Sequence, residues 1–127
     1  MKDSVLIVDS ETLINKFLES RLTKEELDVD IAFDGIEAEK KINEREYDLI
    51  LTDLILPYVA GVELIMKIKK SAHNSQTPII VLSSLSAEDI IVDVLAIGAQ
   101  DYIVKPFSIN VVLAKIKQLI QLKRSAA

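Results

Sequence analysis

Short apolar runs constrain this chain more than any other feature of its sequence. Three of them are continuous, at residues 5–8, 49–51 and 79–82. Runs of this length without alternation are typical of strands that are buried on both faces, as in parallel sheets. Segments with a helical spacing of apolar residues lie between them, so that strand and helix alternate five times. The alternation predicts right-handed crossovers onto one parallel sheet with helices on both faces.

The same pattern gives approximate bounds for each element. We predict strands at 5–8, 28–33, 47–52, 79–82 and 102–104, and helices after Ser10, at 36–44, after Gly61, from Ser86 to about 97 and at about 108–123. Ser10 is expected to cap the first helix, and Ser86 is expected to open a capping box with Asp89. One face of the first helix is expected to carry Leu13, Ile14, Phe17, Leu18 and Leu22.

Length and composition limit the class of protein. The chain has 127 residues and is half hydrophobic, which suits one domain over residues 1–127 with a full aliphatic core. A net charge of −5 argues against a nucleic-acid surface. The absence of cysteine excludes disulfides and thiolate chemistry, and a single histidine argues against a histidine-rich metal site. Without a signal peptide or a membrane-spanning run, we expect a soluble cytoplasmic domain.

Polar side chains stand where four of the apolar runs end. These are Asp9, Asp53, Ser83 and Lys105. The carboxyl ends of parallel strands share one edge of the sheet, and with strand order 2-1-3-4-5 the first and third strands are neighbours there. Two close carboxylates need a compensating cation, and such oxygen ligands suit Mg²⁺. With a lysine and a hydroxyl beside them, the set provides what phosphoryl transfer requires, and Asp53 is the best candidate for the nucleophile.

These residues, in their order and spacing, give the chain a resemblance to a known family. It resembles the bacterial two-component response regulator receiver domain, which is CheY-like, over nearly its whole length. The segments that carry the resemblance are residues 5–9, Asp53 and Leu54 with Pro57 and Gly61, residues 78–83, and residues 98–107. The resemblance implies a flavodoxin-like (βα)5 doubly wound α/β sandwich around a five-stranded parallel sheet.

The resemblance also implies a role for each matching residue. Asp53 would accept a phosphoryl group from a sensor histidine kinase or a histidine phosphotransfer protein. Asp9, Asp53 and the backbone carbonyl of Ile55 would hold Mg²⁺. Ser83 and Lys105 would contact the phosphoryl group. Tyr102 would be the switch aromatic that follows Ser83, and Lys105–Pro106 would be a cis peptide bond.

One position departs from the family pattern. Receiver domains usually have two adjacent acidic residues after the first strand, and here the second is Ser10. A neutral hydroxyl is a weaker ligand for a hard cation than a carboxylate is. Either Ser10 itself or the adjacent Glu11 would have to complete the metal site, and a weakened affinity for Mg²⁺ is expected.

These residues leave three functions open. The first is a phosphorylation-controlled switch rather than an enzyme for an external substrate, although receiver domains promote their own phosphorylation and dephosphorylation. Its output surface would be the fourth helix, fifth strand and fifth helix, open to a downstream effector protein or domain or to a second copy in a homodimer. The second is a degenerate receiver that binds partners independently of phosphorylation, as Ser10 suggests. The third is a small flavin or nucleotide binder, which the lack of glycine at residues 9–11 disfavours.

Overall fold

The structure is a computed structural model that describes residues 1–126. Five strands and five helices alternate along the described chain: β1 Ser4–Val8, α1 Thr12–Lys24, β2 Asp28–Ala32, α2 Gly35–Glu44, β3 Leu49–Thr52, α3 Gly61–Lys70, β4 Ile79–Ser83, α4 Glu88–Ala96, β5 Asp101–Val104 and α5 Ile109–Ala126. Every predicted element is present, and the predicted bounds differ from these by at most a few residues.

All strands are parallel in one sheet of order β2-β1-β3-β4-β5. This order confirms the predicted flavodoxin-like doubly wound fold. The register pairs Val8 with Thr52 across β1 and β3, so the two central strands end at the same level. The residues that follow them, Asp9 and Asp53, therefore emerge side by side at the carboxyl edge of the sheet.

The core has two aliphatic layers, one on each face of the sheet. Side chains alternate between the layers along each strand, as the pleat requires. One layer joins Leu6 and Val8 of β1 to helices α2, α3 and α4, and the other joins Val5 and Ile7 to helices α1 and α5. The uninterrupted apolar runs of the sequence follow from this burial on both faces. None of the helices within residues 1–126 is long and apolar enough to cross a bilayer.

The starts of α1 and α4 correct two sequence predictions. The N-cap of α1 is Glu11 rather than Ser10, and the N-cap of α4 is Ala87, so Ser86 forms no capping box with Asp89. Neither cap uses a side-chain hydrogen bond. At the start of α1 the Asp9 carboxylate accepts the backbone N–H of Glu11 at 2.8 Å, so the turn is closed from the strand end instead.

The predicted apolar face of α1 is only partly correct. Leu18 and Leu22 are fully buried, but Leu13 is 82% exposed and Phe17 is 46% exposed. The position that the helix buries near its start is polar, because Asn15 is only 1% exposed. The core face of α1 is thus rotated away from Leu13 and Phe17, which are left on the surface.

A polar side chain organises the loop before β4. Asn74 is fully buried, and its amide nitrogen donates to the carbonyls of Ile42 and Arg45 at 2.8 and 2.9 Å. Its amide oxygen accepts the backbone N–H of Tyr47 at 2.8 Å and the hydroxyl of Thr77 at 3.0 Å. One side chain therefore ties the end of α2 and the approach to β3 to the loop that enters β4.

Candidate functional site

Three charged side chains meet at the carboxyl edge of the sheet. Lys105, in the loop after β5, places its Nζ 2.9 Å from Oδ2 of Asp9 and 3.0 Å from Oδ2 of Asp53. All three are largely withdrawn from solvent: Asp9 is 2% exposed, Asp53 is 5% exposed and the lysine side chain is 10% exposed. The two ion pairs are therefore poorly screened by water. The structure thus brings together the three charged residues that the sequence placed at strand ends, and the bond from Lys105 to Pro106 is cis, as predicted.

Burial and charge act in opposite directions on these groups. Burial raises the pKa of the Asp9 carboxyl above its ordinary value, although the Glu11 N–H and Lys105 favour the ionised form. Burial by itself would lower the pKa of the Lys105 ammonium, but its hydrogen bonds with Asp9 and Asp53 outweigh burial and the pKa is raised. The lysine is therefore held protonated between the carboxylates.

The two oxygens of Asp53 have different partners. Oδ1 accepts the backbone N–H groups of Leu54 at 2.6 Å and Ile55 at 3.2 Å. Oδ2 accepts from Lys105 and faces the cluster. The carboxylate is consequently fixed in orientation, with one oxygen anchored to the backbone and the other directed at the charged groups.

Two glycines hold the loop that follows Asp53. A Cβ added to Gly61 would lie 2.5 Å from the carbonyl oxygen of Asp53, and one added to Gly35 would lie 2.6 Å from the carbonyl oxygen of Val59. Both distances are closer than real Cβ atoms approach. The N–H of Gly61 also donates to the carbonyl of Leu54 at 2.9 Å. Gly61 therefore packs against the backbone of Asp53 and Leu54, and Gly35 packs against the backbone and Cβ of Val59, at distances that only glycine permits.

The middle of the same loop is a tight turn centred on Tyr58. The N–H of Val59 donates to the carbonyl of Pro57 at 2.8 Å, and Tyr58 has a φ of 69°. A positive φ is unfavourable for a bulky side chain. Tyr58 is 79% exposed, so the turn directs an aromatic ring into solvent beside the site.

Glu11 is the fourth charged group at the cluster. Its Oε1 lies 3.5 Å from the Lys105 Nζ. One carboxylate oxygen each from Asp9, Glu11 and Asp53 lies within 4.8 Å of the other two. Oxygen ligands from three carboxylates suit a hard divalent cation, so these residues fit the predicted magnesium site. Ser10 is exposed, and within residues 1–126 its side chain makes no hydrogen bond.

Ser83 and Tyr102 form a second group on the other side of Asp53. The Ser83 hydroxyl is buried and accepts the N–H of Leu85 at 3.3 Å, while the Tyr102 hydroxyl donates to the carbonyl of Leu85 at 2.6 Å. Burial raises the pKa of the Tyr102 phenol, against an opposing effect of Ser83. In the described chain the Ser83 hydroxyl makes no hydrogen bond to the side chain of Asp53 or Lys105. Ser83 is instead linked to Tyr102 through Leu85, because the Leu85 N–H donates to the Ser83 hydroxyl and the Leu85 carbonyl accepts from the Tyr102 hydroxyl.

The family follows from a match that covers most of the chain. The family model described as response regulator receiver domain matches residues 5–117. The chain belongs to this family.

Curated relatives of the receiver domain are longer than the chain itself. This chain is 41% identical over 117 residues to the response regulator ArlR of Staphylococcus saprophyticus. The aligned part is 92% of this chain but 52% of the relative. The ArlR protein of Staphylococcus aureus is 40% identical with the same coverage. The chain therefore spans about half the length of the curated relatives it matches.

Solved structures of receiver domains have the same fold. A CheY-like receiver domain protein from Methanospirillum hungatei superposes with a TM-score of 0.94 at 29% identity and covers 100% of both chains. The Francisella response regulator 1452 receiver domain has a TM-score of 0.88 at 33% identity, with 94% of this chain and 98% of that chain covered. The receiver domain of a sensor histidine kinase from Pseudomonas aeruginosa, at 25% identity and a TM-score of 0.87, covers 95% of this chain and 99% of its own. Its structure is described with a magnesium ion coordinated in the active-site cleft.

Sequence reasoning missed one polar residue of the receiver domain's site. The Nδ2 of Asn15 donates to the backbone carbonyl of Asp9 at 2.7 Å from inside the protein. Its Oδ1 is buried without a hydrogen-bond partner in the described chain. Asn15 stands one position after Ile14 in a helix whose predicted apolar face includes Leu13, so its burial contradicts that pattern. No local signal marks it, because the carbonyl it binds belongs to the preceding strand end.

Proposed function

We propose that the domain is phosphorylated on Asp53 and acts as a two-component signalling switch. The observation that carries the proposal is the position of the Lys105 ammonium between two buried carboxylates, of which Asp53 has one oxygen anchored and one directed at the cluster. In the transfer, a carboxylate oxygen of Asp53 forms the bond to phosphorus as the bond between phosphorus and the donor's histidine nitrogen breaks. Lys105 then pairs with the charge that arrives.

The proposed cation would be held by carboxylate oxygens of Asp9 and Asp53 and by the backbone carbonyl of Ile55. Mg²⁺ bound there would neutralise charge on the phosphoryl oxygens. The acidic group supports this assignment, and the Pseudomonas receiver domain that is described with magnesium supports it by similarity. The alternative of a receiver that works without phosphorylation rests on Ser10 alone, and the three nearby carboxylates do not favour it.

The phosphodonor is expected to be a histidine kinase or a histidine phosphotransfer protein that docks on an apolar cleft beside the site. The cleft lies between α1 and the loop after β5, and its lining includes Ile14, Phe17, Pro106 and Phe107 together with Lys105. The rings of Phe17 and Phe107 are 6.3 Å apart. A protein that delivers a phosphoryl group to Asp53 must cover this edge, so exposed apolar side chains there support donor docking.

The output is proposed to leave through α4, β5 and α5. Phosphorylation would draw the Ser83 hydroxyl toward Asp53 and break its hydrogen bond with the Leu85 N–H, so that Tyr102 could reorient. Large apolar side chains are exposed on these elements: Val92, Leu95, Val104 and Val111. We propose that this surface binds a downstream effector, in the form of a separate protein, a further domain or a second copy of the chain.

The experiment is amide NMR of the domain with beryllofluoride and Mg²⁺. We expect shifts at Asp53, Ser83 and Tyr102 and over α4 and β5 in the wild type, and no such shifts in Asp53→Asn. Phosphotransfer from a protein donor should be slowed in Phe17→Ser, while phosphorylation by acetyl phosphate is unchanged, because the small donor does not need the cleft. A spectrum of the wild type that is unaltered by beryllofluoride and Mg²⁺ would refute the proposal.

A further inference from the structure

The turn between β1 and α1 directs Glu11, rather than Ser10, at the cluster. Two hydrogen bonds fix this turn, one from the Glu11 N–H to Oδ1 of Asp9 at 2.8 Å and one from Asn15 to the Asp9 carbonyl at 2.7 Å. Ser10 lies at the outside of the turn and is exposed. The Glu11 carboxylate returns to within 3.5 Å of the Lys105 ammonium. The sequence left open whether Ser10 or Glu11 completes the metal site, and the turn places Glu11 at the cluster.

We propose that Glu11 provides the third carboxylate of the cation site and so replaces the acidic side chain that position 10 lacks. This inference rests on the proposed function, since it concerns the same divalent cation. Glu11 offers an oxygen within 4.8 Å of those of Asp9 and Asp53, which is close enough for one ion to contact all three. A serine hydroxyl carries no charge, and Ser10 is exposed at the turn.

The charge of the cluster supports the same assignment. Three ionised carboxylates and one ammonium give a formal charge of −2, which one divalent cation neutralises. Without Glu11 the charge would be −1, and Lys105 alone would already compensate one of the two remaining carboxylates. Glu11 is also the most exposed member, with a side chain 61% exposed against 3% for Asp9 and 7% for Asp53. It can therefore turn toward an entering ion at little cost in buried contacts.

The test is a comparison of Mn²⁺ affinity in four proteins: the wild type, Glu11→Gln, Ser10→Asp and the double variant. Free Mn²⁺ is measured by electron paramagnetic resonance on unphosphorylated protein, so that the result does not depend on phosphorylation. Glutamine keeps the size of the side chain and removes its charge. In the wild-type background, loss of the Glu11 carboxylate should weaken binding by about tenfold or more. In the Ser10→Asp background the same substitution should cost less than about threefold, because Glu11 is no longer needed.

A matched control is Glu19→Gln in α1, which removes one exposed carboxylate away from the cluster. An equal, small effect of Glu11→Gln and Glu19→Gln would overturn the inference, since only overall charge would then matter. An equal loss from Glu11→Gln in both backgrounds would also overturn it, because Glu11 would not be standing in for residue 10. If neither the wild type nor Ser10→Asp binds Mn²⁺, the proposed cation site itself fails, which separates that outcome from the other two.

Discussion

Replacement of Gly61 by alanine should damage the domain at the point where its fold and its site meet. The new methyl group would lie 2.5 Å from the carbonyl oxygen of Asp53 and closer still to Cα of Leu54. Real Cβ contacts stay above 3.0 Å, so the backbone would have to separate by at least about 0.5 Å. Both neighbours are main-chain atoms, which cannot rotate away as a flexible side chain would.

The magnitude follows from two opposing terms. Overpacking of this kind costs roughly 1–3 kcal/mol, and we take the upper end because backbone must move. The alanine gains about 1 kcal/mol at most from its better helix propensity in the first turn of α3. The free energy of unfolding should fall by about 2 kcal/mol or more. With an unfolding entropy near 2.1 cal/mol/K per residue over 127 residues, the Tm should drop by roughly 7 °C or more.

Thermal unfolding followed by circular dichroism measures this loss, and Val62→Ala is the matched control. Val62 is the next residue of the same turn and is 42% exposed, so its truncation should cost less than about 1 kcal/mol. Gly61→Ala should also weaken the response to beryllofluoride, because the displaced atoms carry Asp53. A variant that unfolds within about 1 kcal/mol of wild type would show that the close approach is not required, and the reasoning would fail.

Two further predictions concern polar residues in the segments that precede β3 and β4. The Tyr47 hydroxyl donates to Asp30 at 2.7 Å, and burial raises the pKa of the Tyr47 phenol above the ordinary value of 10.0. As the pH rises, the unfolded chain therefore loses the phenol proton before the folded chain does. The free energy of unfolding should therefore decrease above about pH 10. Urea unfolding of Tyr47→Phe should show a smaller decrease over the same pH range. Asn74→Ala removes four side-chain hydrogen bonds, three of them buried, and should cost about 3 kcal/mol or more in urea unfolding, whereas exposed Asn110→Ala should cost less than about 0.5 kcal/mol. Similar losses in the two asparagine variants, or an unchanged alkaline profile in Tyr47→Phe, would contradict these accounts.

The architecture was predictable because the signals for it are local. A strand buried on both faces must be apolar at every position, so residues 5–8 and 79–82 are visible in the sequence without any knowledge of their neighbours. The parallel arrangement then places all strand ends at one edge, which brings Asp9 and Asp53 together by topology alone. Lys105 follows β5 and lies at the same edge, where its long side chain reaches both carboxylates.

The details that failed depend on partners distant in sequence or on competition between adjacent polar groups. The sequence favours Ser10 as the cap of α1, but the Asp9 carboxylate accepts the Glu11 N–H instead, and the helix starts one residue later. Leu13 fits a helical apolar stripe and Asn15 does not, yet the helix buries Asn15 because its amide binds the end of β1. The spacing of apolar residues cannot reveal a hydrogen bond that crosses between two elements.

The contacts around Asp53 differ in stiffness from one side to the other. On the side of α2 and α3, Gly35 and Gly61 pack against main-chain atoms and the Cβ of Val59, none of which has an alternative rotamer. On the side of α4, the loop residue Leu85 is held by the side chains of Ser83 and Tyr102, and each can rotate about a single bond. Charge added at Asp53 therefore meets one boundary that cannot yield and one that can. If Asp53 is phosphorylated as proposed, the response is expected to spread toward α4, because glycine fixes one side of the site and rotatable hydroxyl side chains form the other.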